Sequence, residues 1–508
     1  MTAIFDQGPS APCPAPFNLA AHVLGRADAQ PDKIALAVLG LGDAENWSYG
    51  RLHAAVRGTG TGLLHAGAVP GDRVLLRLGN TVEFPIAYLG AIAVGLVPIP
   101  TSSQLTEPEV AGIITTTQPA LILRAAGVAC PETDIPTLDE PALEAMRDLP
   151  PADWDMGDPD RPAYIIYTSG TSGIPRAVVH AHRAIWARRM MFDGWYGLRS
   201  EDRLCHAGAF NWTFTLGTGL MDPWTMGATA LIAAPGITPE HLPAILKRHD
   251  ATIFAAAPGV YRKMITPGQR LALPQLRHGL AAGEKLSDTI RQHWQDATGT
   301  PIYEAYGMSE CSTFISGSPD HPAAPGTLGR PQTGRRVAII GATGPVPHGT
   351  EGTIAIHRTD PGLMLGYLGA PEATAQKFNG DWFLTGDQGL MDAEGHITYL
   401  GRADDMMNAG GYRVSPMEVE AALSAHPGIS SIAVTDIEVK EDARVIMAFY
   451  TGPDTLDATA LDAFARARLA AYKRPRGYHH VEALPTGANG KILRRALRPI
   501  YEDLHGQA

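Results

Sequence analysis

The segment Tyr167–Arg176 reads YTSGTSGIPR and concentrates groups that can hold a polyanion. Thr168, Ser169, Thr171 and Ser172 offer hydroxyl donors, and Gly170 and Gly173 let the backbone pass close to phosphate oxygens. Arg176 ends the run with a cation. An apolar, strand-like stretch, Ala163–Tyr167, leads straight into it. The same residue types also build an ordinary surface turn, so this segment alone leaves both readings open. It is not a Walker A loop, because G-x-x-x-x-G-K-[ST] is absent, and the chain carries no G-x-G-x-x-G.

Short apolar strands and helices alternate around this segment. Ala87–Val94, Glu240–Arg248 and Ser287–Ala297 read as helices; Val97–Ile99, Thr229–Ala233 and Thr252–Ala256 read as strands. That alternation predicts an α/β fold with a mostly parallel sheet covered by helices. Past residue 330 the pattern turns β-rich, with strands expected at Arg336–Ile340, Gly352–His357, Trp382–Thr385 and His396–Leu400. From Gly401 a third character begins: helix Pro416–Ser424, strands Ser431–Val439 and Arg444–Tyr450, helix Leu456–Leu469. The polar Arg402–Asp405 marks the boundary, giving expected domains 1–403, with a β-rich subdomain at about 330–400, and 404–508.

Composition narrows the class. Lys and Arg number 41 against 52 Asp and Glu, a formal charge of −11 that speaks against a nucleic-acid surface or a polybasic membrane anchor. At 45% apolar and 18% charged residues, the chain reads as globular. Cys13, Cys130, Cys205 and Cys311 lie far apart without a CxxC pair, which suits a reducing compartment. The polar start Met1–Pro12 lacks the features of a signal peptide, and Phe84–Pro100, apolar but broken by prolines, reads as a buried helix entering a strand. The cytoplasm is the expected location.

Further motifs follow in one order: Ala282-Gly283-Glu284, Tyr306-Gly307-Met308-Ser309-Glu310, Thr385-Gly386-Asp387, Gly401-Arg402-Ala403-Asp404-Asp405 and PTGANGKILR at Pro485–Arg494. Together with the Ser/Gly-rich loop they resemble the motifs of the adenylate-forming enzymes: acyl- and aryl-CoA synthetases, firefly luciferase and peptide-synthetase adenylation domains. The resemblance runs from residue 167 to 494, and Gly90–Pro100 extends it toward the N-terminus. It implies a large N-terminal domain of two αβ subdomains plus a β-barrel-like subdomain, and a small mobile C-terminal α+β lid hinged at Asp404. It also implies a two-step reaction: a carboxylate and Mg²⁺·ATP give an acyl-adenylate and pyrophosphate, then coenzyme A takes the acyl group and AMP leaves.

The resemblance assigns roles residue by residue. Thr168, Ser169, Gly170, Thr171, Ser172, Gly173 and Arg176 would hold phosphates. Gly283 and Glu284 would flank adenine, with Glu304, Ala305, Tyr306, Gly307, Met308 and Ser309 running past the base. Asp387, an acceptor-only carboxylate, suits a ribose diol, and Arg402 and Arg413 suit ribose or phosphate oxygens. Glu310 would ligate Mg²⁺. Lys491 would be catalytic, set where carboxylate meets α-phosphate and negative charge grows. Gly410, Gly411 and Tyr412 would line the thiol tunnel.

The acyl pocket would take in His206, Ala207, Phe210, Asn211, Trp212, Ala282, Gly307 and Phe314. His206 and Asn211 either bond a polar ring substituent or are satisfied wall residues. Acetate-specific relatives carry Trp at the Gly307 position, so glycine there is expected to leave room for a ring or a medium chain. Phe210–Gly219 and Pro361–Tyr367 look most like the benzoate-type aryl-CoA ligases. Two departures from the family stand out: Pro175-Arg176-Ala177 in place of Pro-Lys-Gly, and Met407-Asn408-Ala409 in the hinge segment. Loading of a carrier-protein phosphopantetheine thiol is the alternative activity, and a luciferase-like oxygenase a third. The partners implied are a small carboxylic acid and coenzyme A, with neither nucleic acid nor membrane and a homodimer allowed.

Overall fold

The computed structural model describes residues 2–168, 176–266, 268–402, 407–409, 412–440, 443–469, 471–486 and 492–505, some of them, Thr168, Tyr412 and Arg413 included, by backbone alone. The chain divides into two compact units. One comprises Phe5–Val337 with Ile356–Phe383; the other comprises Met1–Ile4, Ala338–Ala355 and Leu384–Ala508.

A nine-stranded sheet organises the larger unit, in the order Arg330–Pro331, Ser312–Ser316, Ile302–Met308, His278–Ala282, Ile253–Ala256, Arg203–His206, Thr229–Ala233, Ile34–Leu39, Ala44–Ser48. From Ile302–Met308 through Ile34–Leu39 every neighbouring pair is parallel. Ile253–Ala256 and His278–Ala282 are buried at every residue, as strands covered on both faces must be. The helix Asp288–Thr298 shows how the cover forms. Ser287 caps it by accepting from the Ile290 N–H, Gly299 ends it at φ +76°, and Ile290, Trp294 and Ala297 make its buried stripe. Trp294 meets Phe254 and Tyr261 of the sheet side at ring centroids 6.0 and 4.9 Å away.

A second αβ layer has four parallel strands, in the order Val97–Pro100, Arg73–Arg77, Leu121–Arg124, Thr137–Asp139. The helices Tyr49–His65 and Glu83–Ala93 approach closely through glycine: a Cβ on Gly90 would stand 2.9 Å from the Val56 carbonyl oxygen. Phe84–Pro100 is thus the buried helix and strand its composition suggested.

The strand leading into the Ser/Gly-rich segment departs from the parallel expectation. Pro162–Thr168 pairs antiparallel with Arg176–Ala181, which pairs antiparallel with Gly366–Tyr367. The physical reason is length. Thr168 and Arg176 are cross-strand partners, too close in sequence for the crossover of a dozen residues that parallel strands need.

In the smaller unit, the stretch Leu384–Met391 of one strand folds back antiparallel on Ile397–Arg402. Its C-terminal part is α+β: Ser431–Lys440 and Ala443–Thr451 form an antiparallel pair, Gly477–His480 joins in parallel, and helices Pro416–Ser424 and Ala458–Arg466 bury Val419, Leu423, Leu461 and Ala465. No helix among the described residues is long and apolar enough to cross a membrane.

Candidate active site

The carboxyl ends of the parallel strands carry His206–Ala207, Ala282–Glu284 and Glu304–Ser309. Register places Ala281 beside Glu304 and Ala282 beside Ala305, so the AGE and YGMSE segments leave the sheet side by side. Ligands of open α/β sheets bind outside this edge. Gly283 turns the chain at φ +94°, a left-handed conformation that costs glycine little. A bulge between Tyr306 and Gly307 then bends the strand back onto Ser312–Ser316. The Tyr306 ring stands edge-on to Phe314, centroids 5.4 Å apart.

Glu304 gains a packing role at this edge, and the expectation of room at Gly307 needs correcting. The Glu304 carboxylate is buried, accepting from the Leu286 N–H at 2.9 Å and pairing with Arg291 at 3.2 Å. Its side chain braces the sheet edge, and burial raises its pKa. Gly307 does not leave open space: a Cβ there would lie 2.2 Å from the Ser312 carbonyl oxygen and 2.4 Å from the Thr313 Cα. Glycine is required by the close hairpin backbone.

Beside the edge, Glu310 is oriented by a residue without an assigned role in the sequence. The Tyr367 hydroxyl donates to Glu310 Oε1 at 2.7 Å, and the Arg176 guanidinium stands 5.1 Å from the Tyr367 ring centroid. Burial and the Glu310 charge both raise the Tyr367 pKa, so the phenol keeps its proton and remains a donor. Tyr367 closes the Pro361–Tyr367 segment, whose overall likeness was legible but not its contact with Glu310. No group of three or more His, Cys, Asp or Glu that could hold a metal occurs among the described residues. Glu310 offers a single hard carboxylate, which fits a cation that takes its other ligands from phosphate and water.

In the smaller unit Asp387 and Arg402 are direct cross-strand partners, with Arg402 Nε 3.9 Å from Asp387 Oδ1. Within this strand Gly386 takes φ +86°, and the Asp387 N–H donates to Thr385 Oγ1 at 3.1 Å. The two residues expected at a ribose are therefore neighbours. Ser169, Gly170, Thr171, Ser172, Gly173, Asp404, Gly410, Gly411 and Lys491 lie outside the described residues, as do the side chains of Thr168, Tyr412 and Arg413.

Among the residues expected at the acyl pocket, His206 is buried with both ring nitrogens lacking a partner among the described residues, and burial lowers its pKa to about 3. It is a neutral imidazole, edge-on to Phe214 at 4.4 Å. Thr215–Met221 winds as a π-helical turn, where a Cβ on Gly219 would stand 2.7 Å from His206 Cβ and one on Gly217 2.3 Å from Arg188 Cζ. Phe210 packs on Phe84 at 5.6 Å in the core; Ala282 and Phe314 are buried, while Ala207, Asn211 and Trp212 are half-buried.

A cavity of ≈20 Å³ opens in this region, yet its wall contains none of the residues expected to line the acyl pocket. Their neighbours Thr213, Leu216, Ser309 and Ser312 line it, together with Tyr88, Tyr164, His180 and Arg188 from distant segments. Arg188 forks onto buried Asp222, with Nε 2.9 Å from Oδ1 and Nη2 2.6 Å from Oδ2. Burial works against the Arg188 charge, but Asp222 and Tyr196 outweigh it and raise its pKa. The one sequence signal for Arg188 was a charge within the largely apolar stretch Ala184–Met191.

Comparison with known proteins gives a consistent picture. Residues 25–368 match the family described as AMP-binding enzyme, and residues 418–491 match the AMP-binding enzyme C-terminal domain. A 3-hydroxybenzoate–CoA ligase of Aromatoleum sp. (strain CIB) is 30% identical, the match covering 91% of this chain and 93% of the relative. A benzoate–CoA ligase of Thauera aromatica is 31% identical over 90% and 91% of the two chains. Among solved structures, the anthranilate CoA ligase AuaEII in complex with anthranoyl-AMP superposes with a TM-score of 0.86 at 25% identity, covering 96% of this chain and 98% of that one. A benzoate CoA ligase from Burkholderia xenovorans LB400 superposes with a TM-score of 0.82 at 27% identity, over 95% and 100%.

Proposed function

The chain belongs to the AMP-binding enzyme family, and on that premise we propose that it is an AMP-forming ligase joining an aromatic or medium-chain carboxylic acid to coenzyme A. A carboxylate oxygen attacks the α-phosphorus of ATP, the bond to the bridging oxygen breaks, and pyrophosphate leaves. The thiol sulfur of coenzyme A then attacks the acyl carbon, its proton is released, and the acyl–oxygen bond breaks to give thioester and AMP. The observation that carries this reading is the strand register that sets Ala282–Glu284 beside Glu304–Ser309 at one carboxyl edge. The relatives named for benzoate and 3-hydroxybenzoate favour an aromatic acid.

Residue roles follow from chemistry. Tyr306, braced by Phe314, offers a face to adenine, and Gly283, Glu284 and the 304–309 backbone pass beside the base. Asp387 accepts from the ribose hydroxyls with Arg402 and Arg413 as cationic partners. The loop Thr168–Gly173 and Arg176 take the phosphates. Glu310, held by Tyr367, is the residue that would hold Mg²⁺, which neutralises phosphate charge when bound. Lys491 places a cation where two anions meet in the first step. Residues 404–508 act as a lid turning at Asp404, and Gly410–Tyr412 then line the path of the thiol. The four unpaired thiols suit a cytoplasmic enzyme; light scattering tests the homodimer.

The test is product analysis with ATP, Mg²⁺, coenzyme A and a panel of acids. AMP and pyrophosphate should appear in equal amounts with the thioester; ADP and phosphate without AMP would refute the mechanism. Lys491→Ala should abolish pyrophosphate release yet still convert synthetic acyl-AMP to thioester, and loss of both steps in a folded variant would remove Lys491 from the first.

A further inference from the structure

The ≈20 Å³ cavity admits one water-sized group and no ring. It adjoins the acid-activating region through Ser309, the residue before Glu310. Two of its lining residues each carry a buried polar atom, Tyr88 Oη and His180 Nδ1, with no hydrogen-bond partner among the described residues. Tyr88 and His180 are 0% and 2% exposed, so water outside the cavity does not compensate them. Buried polar groups without partners are costly and point to something that completes them.

The protonation pattern defines what completes them. His180 Nε2 lies 2.7 Å from the Ser309 carbonyl oxygen, which can only accept, so Nε2 carries the ring proton. Burial lowers the His180 pKa to about 4 and keeps the ring neutral. Nδ1 is therefore an acceptor, whereas Tyr88 Oη can donate. A hydroxyl has the complementary chemistry for both, a donor for the one and an acceptor for the other, which a methyl or halogen of similar size lacks. The cation in the wall is already paired: Arg188 is bound by Asp222 and also donates to Ser312, Tyr196 and Thr218.

We infer that this cavity is a socket for a hydroxyl substituent on the acid, and that Tyr88 and His180 make the enzyme select a hydroxy-substituted aromatic acid over its unsubstituted parent. The inference rests on the ligase function proposed above.

The experiment measures kcat/KM for pyrophosphate release with benzoate, the hydroxybenzoate, aminobenzoate and fluorobenzoate isomers, and hexanoate. It uses the wild type and Tyr88→Phe, which removes only an oxygen without a partner. One hydroxybenzoate isomer should exceed its fluoro counterpart by about 100-fold or more, since a site built for a hydroxyl rejects analogues lacking it. In Tyr88→Phe that ratio should fall about tenfold or more, a change that a purely structural role for Tyr88 would not produce. Hydroxy and fluoro acids used equally, an aminobenzoate outpacing every hydroxybenzoate, a ratio unmoved by Tyr88→Phe, or activity with hexanoate alone would each overturn the inference and leave the ligase standing. Failure of every acid to release pyrophosphate would refute the ligase function itself.

Discussion

Two buried arginine–aspartate pairs grip consecutive residues at the start of the strand Ser312–Ser316, and they do so differently. Arg188 donates to the Ser312 hydroxyl; Arg335 donates to the Thr313 carbonyl at 3.2 Å. Ser312 sits at φ +63°, a left-handed conformation that a non-glycine residue holds only when its surroundings insist. Around Arg188 the network is saturated. Both Asp222 oxygens are engaged, and the Tyr196 hydroxyl adds a bond to Asp222 Oδ2 at 2.7 Å. Around Arg335 it is sparse: Nη1 meets Asp360 Oδ1, while Arg335 Nε and Asp360 Oδ2 have no partner among the described residues. Asp222 thus holds its arginine through both carboxylate oxygens, whereas Asp360 holds Arg335 through one, which also accepts from the Gly362 N–H.

The sharpest way to break this comparison is Asp222→Ala, which leaves the Arg188 charge buried and unpaired. It should lower unfolding free energy by about 3–5 kcal/mol in urea titrations. The double variant Arg188→Met, Asp222→Leu should recover much of that loss; equal losses in single and double variants would show that the charge is not the cause. Asp360→Ala should cost about 3 kcal/mol, the low end of the same range, because Arg335 keeps the Thr313 carbonyl and one Asp360 oxygen already stands unpartnered. A loss larger than that of Asp222→Ala would invert the ranking of the two networks.

His180 grips the turn before that strand, at Ser309, and differs from both arginines in being titratable. Burial lowers its folded pKa to about 4, so the unfolded chain takes up a proton near pH 6.5 while the folded chain resists. Stability should therefore fall as pH drops from 6.5 toward 4, by about 2–3 kcal/mol for this residue. His180→Gln should show a correspondingly shallower pH dependence than the wild type in denaturant titrations, and identical slopes would contradict a neutral buried ring. The smallest effect is expected for Tyr88→Phe. Its hydroxyl has no partner among the described residues, so removal should change stability by less than about 0.5 kcal/mol, or raise it slightly.

Much of this molecule was readable before any fold was known, and the division follows range. Apolar runs such as Ile253–Ala256 announced buried parallel strands because every residue there must be apolar. The ordered motifs singled out Asp387 and Arg402 separately, and only the register shows that they are cross-strand neighbours. The antiparallel hairpin at Thr168–Arg176 went unread, since a strand in isolation does not reveal the direction of its partner. The glycine at 307 was visible; the reason for it, a backbone carbonyl where a Cβ would stand, was not.

By itself, the sequence determined the family and the order of motifs, and it suggested the groups to test at a nucleotide. Such groups sit on turns next to strand ends, where close approach to phosphate or base demands particular residues at particular local spacings. Only the tertiary structure decided what lines the cavity. Tyr88, Tyr164, His180, Arg188 and Ser312 come from separate segments and are individually unremarkable types. What brings Arg188 to Asp222, 34 residues away, is the packing of a π-helical turn whose glycines clear its path. A pocket wall is a property of which side chains end up facing one another. That is fixed by long-range packing and register, and no local pattern records it.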